Sequence, residues 1–526
     1  MRATSPHIVR CIPVTIGAAS WRVRISSRSR GVNVSAETTT TSATEVRPPI
    51  RVLDRGELAD LELLLDGAFG PLNGYLGAED AAAVRRSGRL LDGSPWPVPV
   101  TLSVPAEDAA HASLELHDAE GAPVGVVENR APWSAWGRTY VAGPVRPAGP
   151  DRGGTLRALR PSAAASRRRL TGRPVLGLVV RSPLHSRRIA EIRHVAESLG
   201  AAVLVLPRML GPRAETLVEA VLAAEPELPS ETVVVPVPLR ENSSHACDET
   251  LCAHVAAAYG ATHVLSGGEL EQSPIPVVHP PELARDARNR WLPAETVPPE
   301  QRRGDLTDRE LTDLLDTGAS LPSWFTTPAV AEQQARLHPP LRNQGFTLLF
   351  TGLSGAGKST LARGVRDELA RHDRRAVSLL DGDVVRRFLC EGLGFSAEDR
   401  SRNVRRIGWV AAEVARHGGA AICAPIAPYA ADRQAVREMV EVYGGFVLVH
   451  VATPLQECER RDRKGLYLRA RCGDLREFTG VTAPYESPQD ADLVLDTSET
   501  TSGQAVDRVL DLLRERGWID AWGDRR

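Results

Sequence analysis

Phe346-Thr347-Leu348-Leu349-Phe350-Thr351-Gly352-Leu353-Ser354-Gly355-Ala356-Gly357-Lys358-Ser359-Thr360 is the stretch on which the reading of this chain turns. Phe346 to Phe350 is an apolar run of strand length, and Leu361 to Leu369 continues beyond it with helical spacing. A buried strand, a tight glycine turn and a helix N-terminus are what a Walker A phosphate cradle requires. Gly352, Gly355 and Gly357 let the backbone N–H groups of Leu353, Ser354, Ala356 and Thr360 turn inward on a phosphate. Lys358 can reach the β- and γ-phosphates, and the Ser359 hydroxyl suits Mg²⁺. Lys-Ser at that spacing after a strand has no structural necessity, which weighs against a glycine loop that only turns the chain.

The whole chain sets wide bounds. Its 526 residues, 42% of them hydrophobic, allow about three ordinary domains. A formal net charge of −2 provides no global basic field, so neither nucleic acid nor a membrane surface is an expected partner. No apolar run approaches the ~20 residues needed to span a bilayer. The seven cysteines are scattered, without CxxC pairs or paired histidine spacing, which fits a reducing, cytoplasmic setting and no zinc site.

Residues 1–46 carry Arg2, Arg10, Arg22, Arg24, Arg28 and Arg30 among many Ser and Thr, with no acidic residue before Glu37. Such a segment buries no core, and a disordered extension is expected. A targeting peptide is the alternative by composition, although Pro13 and Thr15 make a poor secretory apolar region. Over 47–168 the pattern turns globular. Leu58, Leu61, Leu64 and Leu65 have helical spacing, Gly70 to Tyr75 has turn chemistry, and strand-like stretches follow at Trp96 to Leu102, Ala122 to Val127 and Tyr140-Val141. Leu61 to Phe69, Pro71 to Tyr75, Asp92-Gly93 and Trp96 to Leu102 resemble the PUA-like N-terminal domain of ATP sulfurylases. That resemblance implies a mainly structural, mostly-β unit.

A Pro/Arg-rich connector, Pro147 to Arg169, leads into 169–338. There Val175 to Val180, Ala202 to Leu206, Thr232 to Val237 and His263 to Leu265 read as strands. Ile189 to Leu199, Ala214 to Ala224 and Asp248 to Tyr259 read as helices between them, predicting an open α/β sheet with ligands at the strand ends, which the sulfurylase resemblance implies to be nucleotidyltransferase-like. The segment after the first strand is similar to the sulfurylase phosphate pattern Gln-Thr-x-Asn-Pro-x-His-x-x-His. Here those positions are Val179, Val180, Ser182, Pro183, His185 and Arg188, so only Pro183 and His185 stand. The family's Gly-Arg-Asp-His aligns with Gly267-Gly268-Glu269-Leu270, without its Arg and His. Replacing fixed donors and positive charge by Val, Gly and Leu removes transition-state stabilisation, which implies a sulfurylase-like scaffold with little or no adenylyl transfer. His185 alone also reads as a surface or helix-capping residue. Arg181, Arg187 and Arg188 read either as an anion site or as a solvated basic face. Pro322-Ser323-Trp324-Phe325 resembles the stretch that closes the sulfurylase unit, placing the start of the last domain, 339–526, near residue 340.

In that domain Ala376 to Leu380 reads as a strand ending in Asp381-Gly382-Asp383. Carboxylates at such a tip face the phosphate loop, where one can organise Mg²⁺ and its waters and the other accept a hydroxyl proton. As a purely local reading, Asp381 begins a turn and Asp383 caps a helix Val384 to Leu389. Gly392 to Arg406, with Leu380 to Asp383, Arg386, and Asp462 to Gly480, resembles adenosine-5′-phosphosulfate (adenylyl sulfate, APS) kinase, and the likeness runs over 344–515.

This resemblance implies a P-loop NTPase doubly wound parallel sheet, ATP with Mg²⁺, and phosphoryl transfer to adenylyl sulfate. It implies Asp383, Lys358 and Asp381 as catalytic residues, and Ser359 with Asp381 for the metal. Arg386, Arg400 and Asn403 would grip the phosphosulfate. Phe395 and Phe478 would sandwich the adenine. Asp381, Asp383, Ile426 and Lys464 would complete the adenylyl-sulfate site, Lys464 lying on a lid, Arg460 to Arg471, that otherwise reads as a solvated charge run. Two departures stand out. The serine that some members phosphorylate is Ala427, which rules out a phosphoserine there and favours direct in-line transfer, and the residue after the lid Tyr467 is Leu468 rather than Lys. Family members also imply a homo-oligomer. An enzyme that also makes adenylyl sulfate from ATP and sulfate is the rival reading.

Overall fold

The computed structural model describes residues 48–149, 156–242, 244–475 and 477–520. The extension expected over 1–46 lies outside the described residues. The first helix, Arg55–Leu65, starts on a capping box in which Asp54 accepts from the Glu57 N–H and Glu57 reaches back to the Asp54 N–H. Its Leu61, Leu63 and Leu64 are buried against a mixed five-stranded sheet ordered Ile50–Val52, Ser113–His117, Pro123–Glu128, Gly143–Pro147, Gly74–Tyr75, with a three-stranded antiparallel sheet beside it. Trp96 to Leu102 is not the strand its composition suggests. Only Leu102–Val104 joins a sheet, because Pro97 and Pro99 have no N–H to donate to a ladder.

The expected connector is only partly irregular. Ala163–Leu170 is a helix capped by Ser162, and it packs into the same apolar cluster as Leu251, Val255 and Tyr259. That cluster runs on from the mostly-β unit, where Trp96 meets the ring of His254 at 5.2 Å.

The middle of the chain forms a five-stranded parallel sheet ordered Thr232–Val234, Ala202–Pro207, Val175–Val180, His263–Leu265, Val277–Val278. Its two central strands are near-continuous apolar runs, as strands covered on both faces must be. The chain leaves Val175–Val180 toward one side of the sheet and returns on the other at His263–Leu265. The ends of these two neighbours therefore form the crevice where open α/β sheets bind ligands.

The last sheet is also five-stranded and parallel but has its second strand at the edge, in the order Val377–Asp381, Ala420–Ala424, Phe346–Thr351, Gly445–Val451, Leu493–Leu495. Phe346, Leu348 and Phe350 face one core with Leu361, Val365 and Leu369 of the following helix, while Leu349 faces a second core with Ile407, Ala411 and Val436. Each such side chain contributes about 1.5–3 kcal/mol on full burial, which makes this central strand a firm mount for the loop that follows it. The crevice of this sheet lies between Phe346–Thr351 and Gly445–Val451.

Candidate active site

The phosphate loop is held open by its neighbours. Thr351 donates its hydroxyl to the Ile426 carbonyl at 2.7 Å, tying the end of the central strand to the loop after Ala420–Ala424. Gly352 follows with φ +148°, and a Cβ there would stand 2.4 Å from the Val451 carbonyl oxygen, so no other residue fits. Gly357, at φ +105°, is the cap from which the helix Lys358–His372 starts. The loop carbonyls are pinned from outside: Tyr467 Oη donates to Ser354 O at 2.8 Å, and Thr453 and Thr497 donate to Ala356 O at 3.0 and 2.9 Å.

Lys358 folds over this loop, giving hydrogen bonds to Gly352 O at 2.9 Å and Leu353 O at 2.8 Å. It is buried without a bonded carboxylate among the described residues, and burial brings its ammonium down to about 8. Ser359 is half-buried in the first helical turn, and Thr360 beside it is exposed.

Across the strand Ala420–Ala424, the strand Val377–Asp381 ends in the two carboxylates. Asp381, not Asp383, is the cap of the next helix, which is Gly382–Phe388 rather than Val384 to Leu389; its carboxylate accepts from the Asp383 N–H at 3.2 Å. The reason is local: a carboxylate at the cap reaches the N–H two or three residues on, and the helix starts at Gly382. Asp381 is buried, with Arg363 at 3.4 Å. Asp383 is exposed and paired with Lys464 of the lid. The charge run from Arg460 to Arg471 is thus partly engaged: Arg461 binds Thr497 and Glu457, and Arg471 binds Glu459.

The residues expected to grip the second substrate lie on two adjoining helices. Arg386, on Gly382–Phe388, donates to Gly394 O at 2.9 Å and covers one face of the exposed Phe395 ring at 4.5 Å. Arg400 and Asn403 sit one turn apart on Ala397–Arg416, both buried. Arg400 donates to Thr479 Oγ1 at 2.7 Å and to Glu477 O, which clamps the helix to the segment holding Phe478. Phe478 is itself buried edge-on against Tyr467 at 4.9 Å. The Asn403 Oδ1 is buried and has no partner among the described residues. A buried acceptor left unpaired costs about 1–3 kcal/mol, so this oxygen calls for a donor that the protein itself does not provide. Ala427, where a serine nucleophile would stand, is buried in the left-handed region (φ +45°), its carbonyl accepting from Arg433 at 2.9 Å.

The equivalent crevice of the middle sheet is filled differently. Arg181, at the tip of Val175–Val180, is tied to Asp248 and, at 2.7 Å, to Glu249. Asp248 is buried; burial opposes its ionisation, but hydrogen bonds from Arg208 and the Asn242 N–H, with the charges of Arg208 and Arg181, hold it below the usual carboxylate range. Arg208 reaches both of its oxygens at 2.8 Å. Arg187 and Arg188 are both paired with Glu191, at 3.2 and 2.9 Å. Arg181 and Arg187 are exposed, as a solvated basic face would be, but all three arginines are ion-paired rather than open to an anion. His185 is half-buried at the N-cap position of Ser186–Leu199, where its side chain makes no cap bond and its ring instead lies 4.3 Å from Phe325. Burial brings it down to about 4, a neutral imidazole, and its Nδ1 has no partner among the described residues.

Sequence reasoning missed Arg363, Tyr467 Oη, Thr453 and Thr497 as supports of the site. No local pattern could have found them, since each meets its partner only through the fold.

The adenylylsulphate kinase family matches residues 344–496, and the PUA-like domain family matches residues 29–142. A sulfate adenylyltransferase of Phaeosphaeria nodorum is 34% identical over 90% of this chain and 94% of its own length. One of Aspergillus terreus is 32% identical with the same coverage. Among solved structures, a hexameric APS kinase from Thiobacillus denitrificans is 32% identical, covers 91% of this chain and 95% of its own, and superposes with a TM-score of 0.70. Among the described residues no helix is long and apolar enough to cross a membrane. A PUA-like front, a parallel α/β sheet and a P-loop kinase domain, in the order and over the length of these relatives, make the chain a member of the sulfate adenylyltransferase family, in the form that ends in an adenylylsulfate kinase domain.

Proposed function

We propose that the chain is an adenylyl-sulfate kinase, transferring the γ-phosphoryl group of Mg-ATP to the 3′-hydroxyl of adenylyl sulfate to give 3′-phosphoadenylyl sulfate and ADP. The observation that carries this reading is the buried Arg400–Asn403 pair on the helix beside a phosphate loop with a buried lysine: Arg400 and the Asn403 amide N–H can donate to an anion, while the partnerless Asn403 Oδ1 is an acceptor for a hydroxyl or amino group of the same ligand. A P-loop kinase needs a second pocket for its acceptor, and an arginine–amide pair suits neighbouring anionic groups.

In this reading the backbone from Gly352 to Thr360 cradles the ATP phosphates. Lys358 leaves its own loop carbonyls for the transferring group. Arg386, Arg400 and Asn403 hold the phosphosulfate, with Phe395 and Phe478 on the adenine and Ile426 on the wall. Asp383 takes the hydroxyl proton once Lys464 releases it to the phosphates, and Asp381 orients the site from the sheet edge. The hydroxyl of Ser359 and the carboxylate of Asp381 are hard oxygen donors that fit Mg²⁺, which supplies charge neutralisation between the β- and γ-phosphates when bound. Ala427 leaves no nucleophile there for a phosphoenzyme, so transfer is direct.

Units of 47–168, 169–338 and 339–526 are the working division. The T. denitrificans relative is a hexamer, and a cytoplasmic homo-oligomer is the assembly proposed here. One observation favours a second reading: relatives bearing the name sulfate adenylyltransferase match nearly the whole chain. Against it stand Val179, Val180, Gly268 and Leu270 where donors are required, and Arg181 already paired with carboxylates.

A coupled ADP-release assay with and without adenylyl sulfate, together with labelled γ-phosphate, tests the proposal. The label is expected on the ribose of adenylyl sulfate. ADP release that ignores adenylyl sulfate overturns the substrate assignment. Pyrophosphate-dependent ATP formation from adenylyl sulfate would establish the second reading.

A further inference from the structure

A cavity of about 560 Å³ opens where the three parts of the chain meet. Its walls come from the first helix, Arg55–Leu65, from the loop 209–216 entering the helix Ala214–Ala224, and from Arg416 and Tyr443 of the kinase domain. The volume is that of a small-molecule site, and no residue of the phosphate loop lines it.

Four arginines line this cavity: Arg55, Arg160, Arg213 and Arg416. Arg160 is neutralised by Glu62 at 2.7 Å, and Arg416 is shared between Glu413 at 3.6 Å and the Tyr443 ring at 5.4 Å. Arg55 and Arg213 have no carboxylate partner among the described residues. Arg213 gives a hydrogen bond to the Leu337 carbonyl at 2.7 Å and sits in the left-handed region at φ +63°, an unusual backbone for a long side chain. Burial pushes its guanidinium below the ordinary value, as expected of a cation withdrawn from water without a counter-charge. Glu215 is the one lining carboxylate besides Glu62, so positive charge is in excess. The remaining wall is apolar, built from Leu58, Leu210, Pro212 and Pro238.

Arginines on separate walls of one cavity suit phosphate oxygens, and an apolar wall suits a flat heterocycle. An inorganic anion alone would leave the apolar wall facing water. We infer that this junction cavity binds a nucleotide, separately from the phosphate loop, with Arg55 and Arg213 on its phosphates and the leucine–proline wall against its base. Because its walls belong to all three parts of the chain, the bound nucleotide bridges the kinase domain to the sulfurylase-like front.

The test is calorimetric titration of the full-length protein with ADP. Wild type is expected to show two classes of site per chain. Lys358→Ala weakens one class. Arg55→Ala with Arg213→Gly weakens the other by about tenfold or more, the cost of removing charged hydrogen bonds, and leaves turnover at saturating substrates unchanged. Glycine at 213 tolerates the left-handed backbone, so the unliganded melting temperature should hold; Arg55→Glu, at an exposed position, is the second variant should the pair fail to fold. Inorganic pyrophosphate is expected to displace ADP from the junction class. A single class in wild type, a second class that survives the arginine changes, or one that pyrophosphate does not displace overturns the inference. The readout is stoichiometry, so failure here leaves the kinase assignment standing, and failure of the kinase assay leaves this one standing.

Discussion

Two parallel sheets in this chain present a crevice beside their first strand, and they differ in how the cations there are held: one keeps a buried lysine without a bonded carboxylate among the described residues, the other ties its arginines into ion pairs. At the end of Phe346–Thr351, glycines turn the backbone inward, Lys358 rests on loop carbonyls, and Asn403 keeps a buried acceptor unpaired. At the end of Val175–Val180, Arg181 and Arg208 are committed to Asp248, Arg188 to Glu191, and His185 is packed neutral against Phe325. The fold is the same kind of scaffold in both places. Chemistry follows from which charges the protein leaves unspent.

The largest test of that contrast is removal of the proposed base. Asp383→Asn should lower kcat by about 10²–10⁴ while ATP affinity stays near wild type; wild-type turnover would remove Asp383 from its role. In the middle sheet a comparable change should instead strike stability. Asp248→Ala leaves Arg208 buried without its partner and should cost about 3–5 kcal/mol in denaturant unfolding with no loss of kinase turnover per folded molecule. Breaking both patterns at once, by finding turnover lost with Asp248 and stability lost with Asp383, would reverse the comparison.

Smaller effects sharpen it. Arg400→Ala should weaken adenylyl-sulfate binding by about 1.5–3 kcal/mol, seen as a raised KM for that substrate with a smaller change in the KM for ATP. Lys358 carries its charge below about pH 8 and loses it above, so ATP affinity of the free protein should be full below that value and decline as pH rises through it, with proton uptake on binding at higher pH. His185 has its folded value near 4 against 6.5 for an exposed histidine. The folded chain therefore holds fewer protons than the unfolded chain between those values, and stability should fall as pH falls through that window. His185→Phe should flatten this slope in melting experiments and leave the kinase untouched.

How much of this was legible before the fold was known varies with the range of the interaction. Val175–Val180, Ala214–Ala224 and His263–Leu265 coincide with the expected elements, Phe346–Thr351 is longer by one residue and Val377–Asp381 is shifted by one, because apolar runs and helical spacing are local signals. The apolar stretch around Trp96 misled, since composition records hydrophobicity while strand pairing also needs the N–H groups that its prolines lack. The helix Ala163–Leu170 was hidden in an arginine-rich connector; it is held by packing against a helix some 80 residues further on rather than by an apolar pattern of its own.

By itself the order of residues determined the three-part plan, the glycine cradle with its lysine and serine, and the paired aspartates at a strand end. All of these are matters of residue type at short spacing, where backbone geometry leaves few choices. Only the tertiary structure decided which charges are spent: Arg181 on Asp248, Lys464 on Asp383, Arg400 on Thr479, and Arg55 and Arg213 on no carboxylate at all among the described residues. Partners separated by 67, 81 or 79 residues leave no periodic trace in a chain, and they meet because packing of the cores brings their elements together.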